Sequence, residues 1–264
     1  MIEKLLKLNL LPEPILKPTL PSEGDNIYAP FILKHNNIYK MWYGGQGPDG
    51  KDRIHYATSN NKQEWQKHGP ILEGKNHVND PSVIIKDNKF YMYYTDCYKK
   101  DEIHLAISDN GINWTKIQQV LEPTENSWDS NEVARPSLIY EDNLFKMWYD
   151  GNQDRNTGRN VGYATSTDGI EFIKHNIVYK NEGAINVTKI NNQYLMLMES
   201  RQGTYAAIGN NETEFQNKHL VLPKQDKYDK HGHVTPFYFE NEIYMGLATS
   251  QHWNRNRIGK AQLP

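Results

Sequence analysis

The sequence predicts an all-β fold: a five-bladed β-propeller of four-stranded antiparallel blades, with an N-terminal strand closing the last blade. Three observations predict it. One pattern recurs along the chain at Tyr28-Ala29-Pro30, Asn79-Asp80-Pro81, Ala134-Arg135-Pro136, Ile185-Asn186 and Thr235-Pro236. Its period of about 50 residues marks a solenoid, a propeller or an array. Each copy carries four short strand signals and almost no helical periodicity. The last copy lacks its fourth strand, and Leu8–Lys17, LNLLPEPILK, matches that strand from the other end of the chain.

The elements of a copy follow in order. An apolar first strand comes after the proline step: FILK, SVII, SLIY, NVTK and FYFE. A tight polar turn follows (HNN, DNK, EDN, INN, ENE), then an aromatic, alternating second strand such as YKMWYGG, FYMYYTD or FKMWYDG. The third strand reads IHYATS, IHLAIS, VGYATS, TYAAIG and RIGKAQ. SNN, SDNG, STDG and GNN then supply the Asn, Asp and Gly that hairpin reversals require. Fourth strands begin with Trp65, Trp114, Phe172 and Phe215. Those aromatics, and Trp42, Tyr93 and Trp148 of the second strands, recur at fixed slots, which reads as packing between blades. Ring closure by residues 8–17 removes the two open sheet edges an unclosed array would leave. The expectation is one domain over residues 1–264, with blades at about 28–74, 79–123, 134–181, 184–224 and 233–262 plus strand 8–17.

Bulk properties limit the function. The 264 residues carry a formal net charge of -2, so no global attraction to nucleic acid or an anionic membrane is expected. Aromatic residues make up 11%, led by 17 Tyr, which suits strands and also sugar-binding clefts. The lone cysteine, Cys97, allows no internal disulfide. The first residues, MIEKLLKLNLLPEPILKP, do not read as a secretory signal, and no apolar run reaches a membrane span. A soluble, cytoplasmic protein is expected, with a small-molecule or oligosaccharide substrate as its partner.

Propeller loops alternate between two faces. One face holds the short repetitive turns. The other holds the irregular inter-blade segments and second-to-third loops, and the non-repeating charged and His residues gather there. They include Asp25, Asp80, Asp129, Glu132, Arg135, Asp150, Glu199, Arg201, His231, His233, His252 and Arg255. Variable loops on a rigid scaffold are where sites are usually built. The starts of first strands lie nearest the axis, which favours Asp80, Glu132, Arg135 and His233 for a central pocket.

Two carboxylates facing one polar cavity suit glycosidic cleavage, one protonating the leaving oxygen and the other activating water or attacking directly. Asp80 and Glu132 are the candidates, with Asp25 as a third. Arg135, Asp150, Glu199, Arg201, His233, Trp128 and His252 are expected to bind substrate. A guanidinium beside the pocket suits an anionic group on the ligand, or else pairs with the carboxylates as a strut. No Cys-rich metal site, Gly-rich phosphate loop or GxSxG elbow is present, and no metal or cofactor is expected.

Five blades, a DP step opening an inner strand, and second strands like FYMYYT resemble the furanosidase-type propellers. These are glycoside hydrolase families 43, 62, 32 and 68, with the family 130 mannoside phosphorylases as relatives. The resemblance implies a carboxylate triad: an Asp before the blade-one proline, an Asp before the blade-two proline, and a Glu two residues before the blade-three proline. This chain keeps the second, as Asp80. Ala29 and Ala134 stand at the other two positions, with Asp25 four residues before Ala29 and Glu132 two before Ala134. A two-residue step preserves strand facing, so Glu132 is expected to look inward. Basic residues beside one acid are similar to the phosphorylase arrangement, which makes phosphorolysis one alternative and a non-catalytic glycan-binding propeller another.

Overall fold

The tight turns show how locally the strands are set. Asn36-Asn37, Asp87-Asn88, Asp142-Asn143 and Glu240-Asn241 all have positive φ at both residues, the conformation of the two-residue hairpin turn that matches strand twist. The second turns are fixed by side chains. Ser59 Oγ accepts from the amides of Asn61 and Lys62, while Asn61 Oδ1 accepts from those of Gln63 and Glu64. Ser108 with Asn110, and Ser166 with Asp168, repeat the device.

The structure is a computed structural model and describes residues 1–154, 156–225, 230, 232–249 and 255–264. The strands form five separate four-stranded antiparallel sheets. Blade one comprises Asn26–His35, Ile38–Gln46, Asp52–Ser59 and Gln66–Leu72; blade two comprises His77–Lys86, Lys89–Cys97, Asp101–Ser108 and Thr115–Leu121. Blade three comprises Glu132–Glu141, Leu144–Asn152, Asn160–Ser166 and Ile173–Tyr179; blade four comprises Ile185–Ile190, Gln193–Met198, Gly203–Gly209 and Phe215–Pro223. Blade five has His233–Phe239, Glu242–Ala248 and Asn256–Gln262, and its outer strand is Asn9–Leu10 from the other end of the chain.

The closing strand is shorter than residues 8–17 suggest. Asn9 and Leu10 pair with Gln262 and Ala261, the Leu11 amide still donates to the Lys260 carbonyl, and contact resumes at Ile15 and Leu16 against Ile258. Pro12 and Pro14 lie between and lack the amide a continuous ladder needs. Leu10 and Leu16 are nonetheless buried, Leu10 in a cluster with Leu197, Met245 and Leu247 of blades four and five. Truncating Leu10 to Ala is expected to cost about 2–4 kcal/mol. Urea denaturation checks this, and an unchanged midpoint would show that closure there carries no load.

Recurring aromatics tie blades one, two and three each to the next. Trp42 Nε1 donates to the carbonyl of Gly111 (2.9 Å), Tyr93 Oη to that of Gly169 (2.8 Å) and Trp148 Nε1 to that of Glu212 (2.8 Å). Each acceptor lies in the second turn of the following blade. All three side chains are fully buried. A packing slot thus also pins the neighbour's turn, which requires a polar-tipped aromatic.

Candidate active site

The step at each proline is a backbone device. Ala29, Asp80, Arg135, Ala184 and Thr235 all have φ between 44° and 52°. This left-handed conformation is disfavoured for residues with a Cβ, by about 1–2 kcal/mol each. In blades one, two, three and five a bulge accompanies it, with register shifts at Tyr28/Phe31, Asn79/Ser82, Ala134/Ser137 and Val234/Phe237. Blade four corrects the sequence alignment by one residue. Asn186 faces Leu197 as Ser137 faces Trp148, so Ala184, not Ile185, holds the slot. Blade four has no proline at this step, so the sequence lacked the landmark.

The strain is supported from the preceding blade. The amide of Arg135 donates to Thr95 Oγ1 (2.9 Å), that of Ala184 to Asp150 Oδ2 (2.6 Å) and that of Thr235 to Glu199 Oε2 (3.0 Å). Thr95, Asp150 and Glu199 occupy the equivalent position of successive second strands, opposite Asn79, Ala134 or the start of blade four. In blades one and five the position is Gly44 and Gly246, opposite Tyr28 and Val234. A Cβ on Gly44 would come within 3.0–3.1 Å of the Tyr28 ring, so the glycine makes room for that side chain.

These slots line the axis. Ala29, Asp80, Arg135 and Thr235, their prolines, and Ile185 surround a channel of about 20 Å³, room for roughly one water. Above it, on the irregular face, opens a cavity of about 560 Å³ walled by Asn26, Tyr28, Gln46, Asn79, Asp80, Arg135, Arg159, Glu199, Val234, Thr235 and Asn256. Asp80, Arg135 and Thr235 belong to both and form the cavity floor. A separate cavity of about 160 Å³, lined by Leu5, Leu8, Ile190 and Tyr238 among others, is largely apolar.

Charge concentrates on the blade two-three-four side of the floor. Arg135 Nη1 donates to Asp150 Oδ2 at 3.3 Å, while its Nε lies 3.9 Å from Asp80 Oδ2. Arg159 Nε donates to Glu132 Oε1 at 2.7 Å and reaches Asp150 Oδ2 at 4.0 Å. Burial pushes the Asp80 carboxyl up to about 6, with Arg135 opposing and Asp150, Asp52 and Asp101 adding to the rise. Asp150 and Glu199 are also raised by burial, against the pull of Arg135. Burial disfavours the Arg135 cation, but the carboxylates of Asp80, Asp150, Glu199 and Glu132 outweigh it and hold the guanidinium charged. Among the described residues the blade five-one-two side of the wall is uncharged. There Asn79 Nδ2 donates to Tyr28 Oη (3.3 Å) and Asn256 Nδ2 to Asn26 Oδ1 (2.8 Å).

The structure therefore brings together Asp80, Arg135 and Glu199 on the wall, with Asp150 fully buried behind Arg135. Glu132 stands back from the wall in its ion pair with Arg159. Asp25 is exposed and pairs with Arg257 and, at 3.6 Å, with Arg255. Trp128 stacks on Tyr149 (centroids 5.7 Å apart), in space that Gly151 and Gly162 leave open. His233 is buried, with Nδ1 2.8 Å from Thr204 Oγ1. Arg201 is exposed, and His252 lies outside the described residues. Asp129 is a strut, buried against Lys174 (2.6 Å) and Tyr149, as Glu23 is against Lys67 and Tyr43 in blade one. Arg159, Tyr28, Asn26, Gln46, Asn79 and Asn256 are wall residues the sequence did not single out. Arg159 lay in a long loop of the irregular face, but nothing ranked it above its polar neighbours.

Solved structures share this fold. A protein titled a glycoside hydrolase superposes with a TM-score of 0.80 at 16% identity, covering 98% of this chain and 94% of its own. Zg3597, a family 117 glycoside hydrolase produced by the marine bacterium Zobellia galactanivorans, gives 0.78 at 13% identity, covering 98% and 91%. A thermostable family-43 glycoside hydrolase gives 0.69 at 14% identity, covering 92% and 91%. At these identities the likeness is one of fold. No curated protein matches the sequence significantly. Residues 3–161, more than half of the chain, match the model of glycoside hydrolase family 130, described as beta-1,4-mannooligosaccharide phosphorylase, and the chain belongs to that family.

Proposed function

We propose that the protein cleaves glycosidic bonds in the axial cavity, with Asp80 as the acid that protonates the leaving oxygen. The observation that carries this reading is a carboxyl on the cavity floor, buried to 7% exposure, which that burial pushes up to about 6. An acid that holds its proton near neutrality while open to a polar cavity is suited to leaving-group protonation. The family description makes β-linked mannooligosaccharides the first substrates to try.

Water is the favoured acceptor. Among the described residues two guanidinium groups stand on the wall, and both are engaged, Arg135 with Asp150 and Arg159 with Glu132. A phosphate dianion would also meet the Asp80 and Glu199 carboxyls on the same wall. Phosphorolysis is the second reading, supported by the family description. Incubating the protein with mannooligosaccharides, with and without inorganic phosphate, separates the two. Release of reducing sugar is expected at the same rate in both. Formation of a sugar phosphate only when phosphate is present would overturn the choice of water.

A further inference from the structure

We propose that Asp150 is a positioning residue that withholds Arg135 from Asp80 and so keeps the Asp80 carboxyl able to carry a proton. The inference rests on the reading of Asp80 as the acid. Its geometry does not: Arg135 is hydrogen-bonded to Asp150 at 3.3 Å but stands 3.9 Å from Asp80, beyond hydrogen-bond reach.

Asp150 is built for this task. It is fully buried, and its Oδ2 accepts the Ala184 amide (2.6 Å), which fixes the carboxylate to the left-handed step of blade four. Its other oxygen, Oδ1, is buried with no hydrogen-bond partner among the described residues, and Arg159 stands farther off, 4.0 Å from Oδ2. Arg135 in turn is anchored through its own amide to Thr95 of blade two. A line of contacts thus runs Asp80, Arg135, Asp150, Ala184 across three blades. Thr95 and Glu199 support the neighbouring amides at the same slot, but only Asp150 also hydrogen-bonds a charged side chain of its own blade.

A carboxylate in a full ion pair with arginine ionises well below pH 4. Asp80 does not: burial raises it, and the guanidinium that opposes the rise is hydrogen-bonded to Asp150 instead. The charged and titratable groups acting on Asp80 are Arg135 and Asp150 of blade three, Asp52 of blade one and Asp101 of blade two. Tyr28 and Glu199 share its cavity wall. Those acting on Asp150 are Arg135, Arg159 and Glu132. Removing the Asp150 charge has two effects of one sign. It deletes a nearby negative charge, and it frees Arg135 to close on Asp80.

The test measures the Asp80 carboxyl directly, by ¹³C NMR titration of Asp-labelled protein with Asp80→Asn for assignment, alongside the pH profile of kcat/KM. Asp150→Asn retains an acceptor for the Ala184 amide. It is expected to lower the Asp80 pKa by on the order of 1 unit and to move the alkaline limb of the profile down equally. Arg135→Gln is expected to shift the titration the opposite way. In the Arg135→Gln background, Asp150→Asn should give only a small residual shift. Equal shifts in both backgrounds would overturn the proposal, since Asp150 would then act by its charge alone; so would no shift with Asp150→Asn. If Asp150→Asn does not fold, Arg135→Gln alone still decides, because an unmoved or lowered Asp80 would refute the shared guanidinium. The titration needs no turnover, so an inactive wild type would count against the acid reading and leave this inference standing.

Discussion

Asp80→Asn is expected to abolish glycoside cleavage while making the protein more stable. Loss of a positioned acid lowers kcat/KM by on the order of 10²–10⁴. Cleavage by the wild type should require the protonated carboxyl, so kcat/KM should fall as pH rises through about 6. The stability change follows from the same shift. A carboxyl with an ordinary pKa of 3.8 unfolded and about 6 folded binds its proton more tightly in the native state. Ionised Asp80 therefore penalises folding by about 3 kcal/mol above pH 6, and the penalty fades as pH falls from about 6 to about 4. Asparagine has the shape without the charge. Calorimetry should show a Tm gain of several degrees at pH 8 and almost none at pH 4. Retained cleavage by Asp80→Asn would remove Asp80 from the chemistry, and an equal gain at both pH values would remove the burial argument.

The largest loss of stability is expected at Trp148. Its indole is fully buried, packs against Tyr163 and Tyr194, and donates to the Glu212 carbonyl in the next blade. Trp148→Ala should cost about 3–5 kcal/mol by opening a cavity in the seam between blades three and four. Trp148→Phe keeps most of the packing and loses the hydrogen bond, for about 1 kcal/mol. Denaturant titration of the two variants separates packing from pinning. Equal losses would mean that the hydrogen bond, not the ring volume, holds the seam.

Much of this molecule was written in short range. Asn36-Asn37 and Ser59 with Asn61 dictate their turns through φ preference and side-chain acceptors that reach two or three residues. Period and alternation called for five four-stranded blades, and the orphan strand near residue 10 for a closed ring. Asp80 was legible because a repeated step carried an odd residue at a place the fold brings to the axis.

The pairing of charges was not legible. Glu132 lies two residues from the Ala134 position, and strand parity favoured it, yet Arg159, from the loop before the third strand of the same blade, holds it back from the cavity wall. Asp25 is close to the slot in sequence but is held by Arg257 from blade five. Ala184 replaced Ile185 because bulge register is a property of two paired strands, and no proline marked it. The sequence by itself determined a closed five-bladed ring and the face on which a site could form, since turn chemistry and periodicity act over a few residues. Only the tertiary structure decided which carboxyls burial pushes up and where Arg135 points. Those outcomes depend on burial and on charges that meet within and across blades, between residues some 15 to 70 apart in sequence, at distances where a few tenths of an ångström choose the partner.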